Sequence, residues 1–137
     1  MKESLFQFTN PEVKSIEFIV CDDFHSAEKR ISVSSSIKTN VYDIETTETE
    51  CSALVEVCVE IGKKDKTQPF YIRAVESAKF KWKKAAYSDD EIDSMLNKNG
   101  VALLISYLRP IIASVTGFSR YNSYNLPFID LTSPDNQ

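Results

Sequence analysis

Between Leu5 and Trp82 four segments space their bulky apolar side chains as extended strands do, most clearly with a period of two that turns one face to a core. Leu5 to Phe8 and Ile16 to Cys21 make a first extended segment. Asn10-Pro11 interrupts it as a bend or bulge, because proline has no N–H to give to a sheet ladder. In the second segment Ile31, Val33, Ser35, Ile37, Thr39 and Val41 share one face, and Ser32, Ser34, Lys38 and Asn40 the other. The third sets Ala53, Val55, Val57, Val59 and Ile61 against Ser52, Glu56 and Glu60. Gly62 to Lys66 then reads as a polar hairpin turn. In the fourth, Phe70, Ile72, Ala74, Ala78, Phe80 and Trp82 lie on one face and Tyr71, Arg73, Lys79 and Lys81 on the other, with Glu76 breaking the apolar row.

Past Tyr87 the period lengthens. Ser88-Asp89-Asp90-Glu91 fits a capping box, in which the serine hydroxyl and the glutamate carboxylate each take an otherwise unpaired N–H of the first turn. Ile92, Met95 and Leu96 follow, and Asn99-Gly100 marks a pause. Val101, Leu104, Ile105, Leu108, Ile112 and Val115 then recur at threes and fours, and Leu103, Ile111 and Ala113 widen that stripe nearly all the way round. Pro110 predicts a kink and Thr116-Gly117 a stop. Arg109 and Pro110 inside this most apolar window make it a buried helix rather than a membrane span. Phe118 to Leu131 is an apolar ribbon too interrupted by Asn and Pro for regular helix, and Thr132 to Gln137 is a polar terminus expected to fray. The pattern predicts one α+β domain over residues 1–131, a four-stranded antiparallel sheet followed by a long helix layer, with a polar tail over 132–137.

Composition narrows the function. The 137 residues suit a single core, and 16 Lys+Arg against 20 Asp+Glu leave a net charge of −4, so nucleic acid is not an expected partner. No basic, apolar leader opens the chain, which predicts a cytoplasmic protein. Cys21, Cys51 and Cys58 form no Cys-x-x-Cys pair, and Cys21 with His25 supplies only two ligands, so no metal site is expected. Three glycines cannot build the phosphate loops of nucleotide enzymes, and the one histidine, His25, sits among acids without a nucleophile motif. Neither catalysis nor a cofactor is expected. Lys79, Lys81, Lys83 and Lys84 interleave with Phe80 and Trp82, an alternation that one strand's polar side explains.

The end of the chain is its most specific part. Leu104-Ile105-Ser106-Tyr107-Leu108-Arg109, then Phe118-Ser119-Arg120 and Asn125-Leu126-Pro127-Phe128-Ile129-Asp130-Leu131, resemble the carboxyl region of the protein-export chaperone SecB, where a helix with a Tyr-x-Arg element precedes an extended Asn-Leu-x-Pro-like segment. Phe6-Gln7-Phe8 and Lys14-Ser15-Ile16-Glu17-Phe18 resemble that family's opening strand. The resemblance implies a four-stranded sheet backed by helix, assembled as a dimer of dimers, that holds unfolded polypeptides without ATP. It also implies departures. Acidic positions by which SecB docks on the SecA ATPase correspond to Ser15, Ile19 and Arg73, and the family's final helix would begin near Asp130, so SecA is a doubtful partner. Some SecB-like chaperones instead serve one antitoxin.

Holding non-native chain requires accessible apolar surface, and repeated subunits add avidity. The residues assigned to client binding are Phe24, Phe118, Tyr121, Tyr124, Leu126 and Phe128, although Leu126 and Phe128 equally suit pinning the tail to the sheet. Those assigned to a dimer or tetramer interface are Ile16, Phe18, Val101, Leu104, Ile105, Leu108 and Ile112. An adaptor dedicated to one protein is the second reading and a small-ligand binder the third.

Overall fold

A computed structural model describes residues 1–28 and 30–131, so the expected fraying of Thr132 to Gln137 lies outside the described residues. Five strands form one antiparallel sheet: β1 (Phe6–Phe8), β2 (Glu12–Val20), β3 (Ser35–Thr46), β4 (Glu50–Gly62) and β5 (Phe70–Lys83). β1 pairs with the stretch of β5 from Phe80 to Trp82, and β2 with the stretch from Phe70 to Ser77. The two therefore occupy one position along the same edge, and the sheet has four positions filled by five strands. The break at Asn10-Pro11 is where the sequence puts it, but β2 starts earlier than the apolar run suggests, at Glu12. β3 also differs. Its ladder with β4 starts at Ser35, which leaves Ile31 and Val33 in the loop before it.

Paired residues of antiparallel strands point to the same side, so the register sorts the side chains into two faces. One face carries Phe70, Ile72, Ala74, Glu76, Ala78, Phe80 and Trp82 of β5 with Ala53, Val55, Val57, Val59 and Ile61 of β4, all buried. β4 and β5 join through a hairpin whose first residue, Gly62, has φ 78°. A Cβ there would lie 1.8 Å from the Phe70 carbonyl oxygen, so only glycine fits.

Helix covers the buried face. Lys84–Ala86 makes one tight turn, then α1 (Asp89–Ser94) opens with the capping box: Ser88 Oγ accepts from Glu91 N at 3.1 Å, and Glu91 Oε1 accepts from Ser88 N at 3.0 Å. The pause at Asn99-Gly100 is a π-helical stretch, Met95–Gly100, that leads without a break into α2 (Val101–Gly117). Gly100 lets the helix close on the sheet, since a Cβ there would meet the Phe80 ring at 3.2 Å. The helix over Asp89–Gly117 is long and apolar enough to cross a membrane by length and composition, with an 18-residue window of mean hydropathy 1.5. Here α2 lies on β4 and β5, as a core helix does.

This packing overturns part of the interface assignment. Val101, Leu104, Ile105, Leu108 and Ile112 are buried in the chain's own core against the sheet, and are satisfied before a second copy arrives. Ile16 on the edge strand remains exposed, and Phe18 is half-buried beside Phe70.

Glu76 is the anomaly in the core. It is 2% exposed, its Oε2 has no hydrogen-bond partner, and burial raises its carboxyl above the usual value of 4.5. Its register neighbours are Val13 and Val57. Burial favours the neutral acid, so folding takes up a proton; the stability this group grants below pH 4.5 is lost as pH rises through its raised folded value. Glu76→Gln should therefore be more stable than the parent at pH 7, by about 1–3 kcal/mol, with the gap closing towards pH 4. Urea unfolding across that range checks it, and a pH-independent difference would contradict the assignment.

Candidate functional site

At the Phe70 end of β5 the loop after β2 meets the segment after α2. The anchor is Thr116, fully buried, whose Oγ1 donates to the Ile112 carbonyl at 2.8 Å and accepts from Tyr124 N at 2.8 Å. Ser119 Oγ donates to the Thr116 carbonyl at 2.6 Å and accepts from Tyr121 N at 3.1 Å. These bonds turn the chain back over the sheet and set both tyrosines against Phe70, each with ring centroids 6.4 Å away. Burial raises the Tyr124 hydroxyl above its usual value.

The loop closes the other side. Phe24 packs edge-on to Tyr121 at 6.2 Å. Arg120 ties the two segments together, donating from one nitrogen to the carbonyls of Cys21 (3.1 Å) and Asp22 (3.4 Å) while its guanidinium lies 5.4 Å from the centre of the Tyr121 ring. Two open cavities flank this bridge and share Ile31, Arg120 and Tyr121. One, about 380 Å³, reaches Val33, Phe70 and Tyr124; the other, about 310 Å³, reaches Phe24 and His25. The result is a groove with aromatic walls, half-buried rings and a fixed cation.

Of the residues assigned to clients, Phe24, Tyr121 and Tyr124 come together here. Phe118 stands apart at the end of α2, 87% exposed. Leu126 is 4% exposed and belongs to the core, so it cannot take part: Arg109 donates to its carbonyl at 3.0 Å and to that of Pro127 at 3.1 Å, which clamps the tail to α2. Phe128 is 95% exposed, with the Arg109 guanidinium 5.0 Å from its ring centre. Phe70, Ile31 and Val33 are groove residues that the strand pattern conceals, because alternation alone does not say where a ladder stops. Among the described residues no three His, Cys, Asp or Glu side chains gather to hold a metal.

The opposite face of the sheet is uncovered by helix and separates its charges. Lys79, Lys81 and Lys83 line one end of β5, with Lys83 paired to Glu50 at 2.7 Å. At the other end Arg73 lies in register between Glu17 and Glu60. Both carboxylates are engaged: Lys64 pairs with Glu17 at 2.8 Å, and Tyr71 donates to Glu60 at 2.9 Å. Burial, and then that hydrogen bond, push the Tyr71 hydroxyl up to about 12. Ser15 and Ile19 share this face with Arg73, so the three positions where the SecB resemblance expects acids sit together without one.

No family profile and no curated protein sequence matches the chain. Solved structures do. A SecB-like chaperone from Mycobacterium tuberculosis, in complex with a ChAD peptide from the HigA1 antitoxin, superposes with a TM-score of 0.67 at 14% identity, over 91% of this chain and 88% of that one. A Streptococcus agalactiae protein of unknown function superposes with a TM-score of 0.56 at 12% identity, over 90% and 97%. The chain has the SecB-like fold, an α+β antiparallel sheet with a long C-terminal helix.

Proposed function

We propose that this protein is an ATP-independent holdase of the cytoplasm that binds unfolded or aggregation-prone polypeptide in the groove between Phe24, Phe70, Tyr121 and Tyr124. The observation that carries the reading is an aromatic groove made of irregular chain, pinned at a few points to a rigid sheet and open to solvent. Such a surface suits clients of many sequences, since aromatic rings bury apolar area without demanding one partner geometry. The SecB-like fold supports the same reading, as do three free cysteines, which fit a reducing compartment. A dedicated client, such as an antitoxin, is the second reading. It is favoured by the antitoxin peptide bound to the mycobacterial structure.

Assembly follows from surface that the fold leaves open. Phe8, Val13 and Ile16 on the strand edge are exposed, and Phe8 touches exposed Tyr107 with ring centroids 6.4 Å apart. From there the outer side of α2 continues through Leu103, Ser106 and Ile111 without a free charge, because Arg109 is tied to the tail. A homodimer or tetramer would bury this strip. Docking on SecA is not part of the reading, because Arg73 would repel a basic partner surface where an acid should attract it.

Four outcomes check these statements. The Tyr121→Ser/Tyr124→Ser double variant should suppress aggregation of several unrelated unfolded proteins at least about tenfold less well, with thermal unfolding within a few degrees of the parent; unchanged suppression would move the site. If only one client in such a panel is protected by the parent, the dedicated reading replaces the general one. Light scattering at micromolar concentration should give twice or four times the 15.6 kDa chain mass, and a monomer mass rejects assembly. Calorimetry with SecA from the same cell should show no submicromolar, salt-sensitive binding; finding it would restore an export role.

A further inference from the structure

Glu76 stands in the middle of β5 on the face that α2 covers, and its neighbours on that face are apolar: Ala74 and Ala78 along the strand, Val57 and Val13 across it. Among the described residues of the elements packed on it, no charge turns towards it. By register Glu12, Glu17, Glu56, Glu60, Arg73 and Lys79 belong to the opposite face, and Lys14 pairs there with Glu12 at 3.1 Å. On α2, Arg109 is bonded to the tail and Tyr107 is exposed against Phe8. The sheet edge beside the carboxyl is broken on both sides. β1 ends at Phe8, Thr9 bonds to Lys79 in both directions (2.9 Å and 3.3 Å), and Pro11 has no N–H to give. Beyond, β2 slips register between Val13 and Ser15, so Lys14 is an extra residue that bulges the strand. Only Glu12 and Val13 stand in register between break and bulge, and Val13, the edge residue paired with Glu76, is 39% exposed.

We infer that Glu76 is a proton-operated latch on the edge residues Glu12 and Val13: the neutral acid lets them close on β5, and ionisation of the carboxyl releases them. A carboxylate without a partner does not stay among valines and alanines, because burying an unpaired charge costs more than opening two residues of ladder. Its way to water runs past exposed Val13, since Val57 is fully buried and α2 lies over the face. The break and the bulge let this short piece move while the rest of β2 stays paired. Closing takes up a proton: the closed carboxyl titrates above its usual 4.5, the released one returns to that value, and the closed form is favoured as pH falls. Val13 belongs with Phe8 and Ile16 to the strip that the proposed homo-oligomer buries. The latch therefore governs assembly as well, a consequence that rests on that reading, and acid tightens the assembly while alkali loosens it.

Amide hydrogen exchange of the full chain at pH 5 and pH 8 tests the latch, with the parent set against Glu76→Gln at each pH so that the intrinsic pH dependence of exchange cancels. At pH 8 the amides of residues 12–16 should exchange at least about tenfold faster in the parent, at a rate that low urea leaves unchanged, as a local opening does. At pH 5 that ratio should shrink towards one. Glu76→Met, which has neither a charge nor a hydrogen bond to lose, should behave as the Gln variant does. Rates at residues 12–16 that match those of β4 and respond to urea in the same way mean that the edge leaves only when the whole sheet unfolds, and overturn the latch. A ratio equal at both pH values overturns it too. Light scattering over a dilution series tests the consequence: the parent's dissociation constant should rise at least about tenfold from pH 5 to pH 8, and that of the Gln variant less than about twofold. A mass of 15.6 kDa at every pH, with the local exchange difference in place, upholds the latch and removes the assembly reading instead. Assembly that follows pH equally in parent and Gln variant overturns the latch's hold on it.

Discussion

The candidate groove hangs on the seating of α2 against β4 and β5. Val101, Leu104, Ile105, Leu108 and Ile112 are buried there, and Gly100 brings the helix close enough to touch the Phe80 ring. Core contacts of this kind are worth a few kcal/mol per side chain, so the helix cannot shift without losing most of the fold's stability. Both ends of the groove segment are tied to it. Thr116 holds Tyr124, and Arg109 holds the carbonyls of Leu126 and Pro127, so irregular chain inherits the position of a rigid element.

In the proposed reading, that arrangement reconciles two demands on a surface meant for non-native chain. It must stay apolar and open, yet not collapse onto itself. Hydrogen bonds to α2 fix the backbone of the tail, while Phe24 meets Tyr121 edge-on and both Tyr121 and Tyr124 meet Phe70 edge-on, with the cavities beside them. Arg120 spans tail and loop by bonding to carbonyls rather than to a carboxylate, so the bridge keeps its positive charge at the mouth. The uncovered sheet face does the reverse. Its charges are paired or interleaved along the strands, which keeps a flat antiparallel surface in water.

The sheet was legible in the sequence because period two assigns faces directly, and the register bears out each assignment in β4 and β5. The capping box was legible for a similar reason, being set by neighbours in sequence. Partner choice was not. A helix with apolar residues on most sides shows that they need cover, but Val101 to Ile112 read equally well as an interface until the sheet is seen to take that stripe. Ile31 and Val33 continue a strand alternation past the point where β4 supplies hydrogen bonds, and only the partner strand reveals the limit. In the tail no periodicity separates Leu126, which is buried, from Phe128, which is not. The bulge between Tyr42 and Glu45, where β3 slips against β4, depends on the register of two strands at once, so Ile44 carried no local sign of its exposure. Similarity at 14% identity has the same origin, since a fold set by pattern tolerates nearly any residue that keeps it.

The central claim, that non-native chain is held in the groove beneath the tail and not on the open sheet, is tested most directly by site-specific photocrosslinking. A photoreactive residue in place of Asn122, exposed at the groove, is compared with one in place of Lys81, exposed on the uncovered face. The account predicts that position 122 captures an unfolded client and spares its native form, while position 81 captures neither. Capture at position 81 with none at position 122 would contradict it.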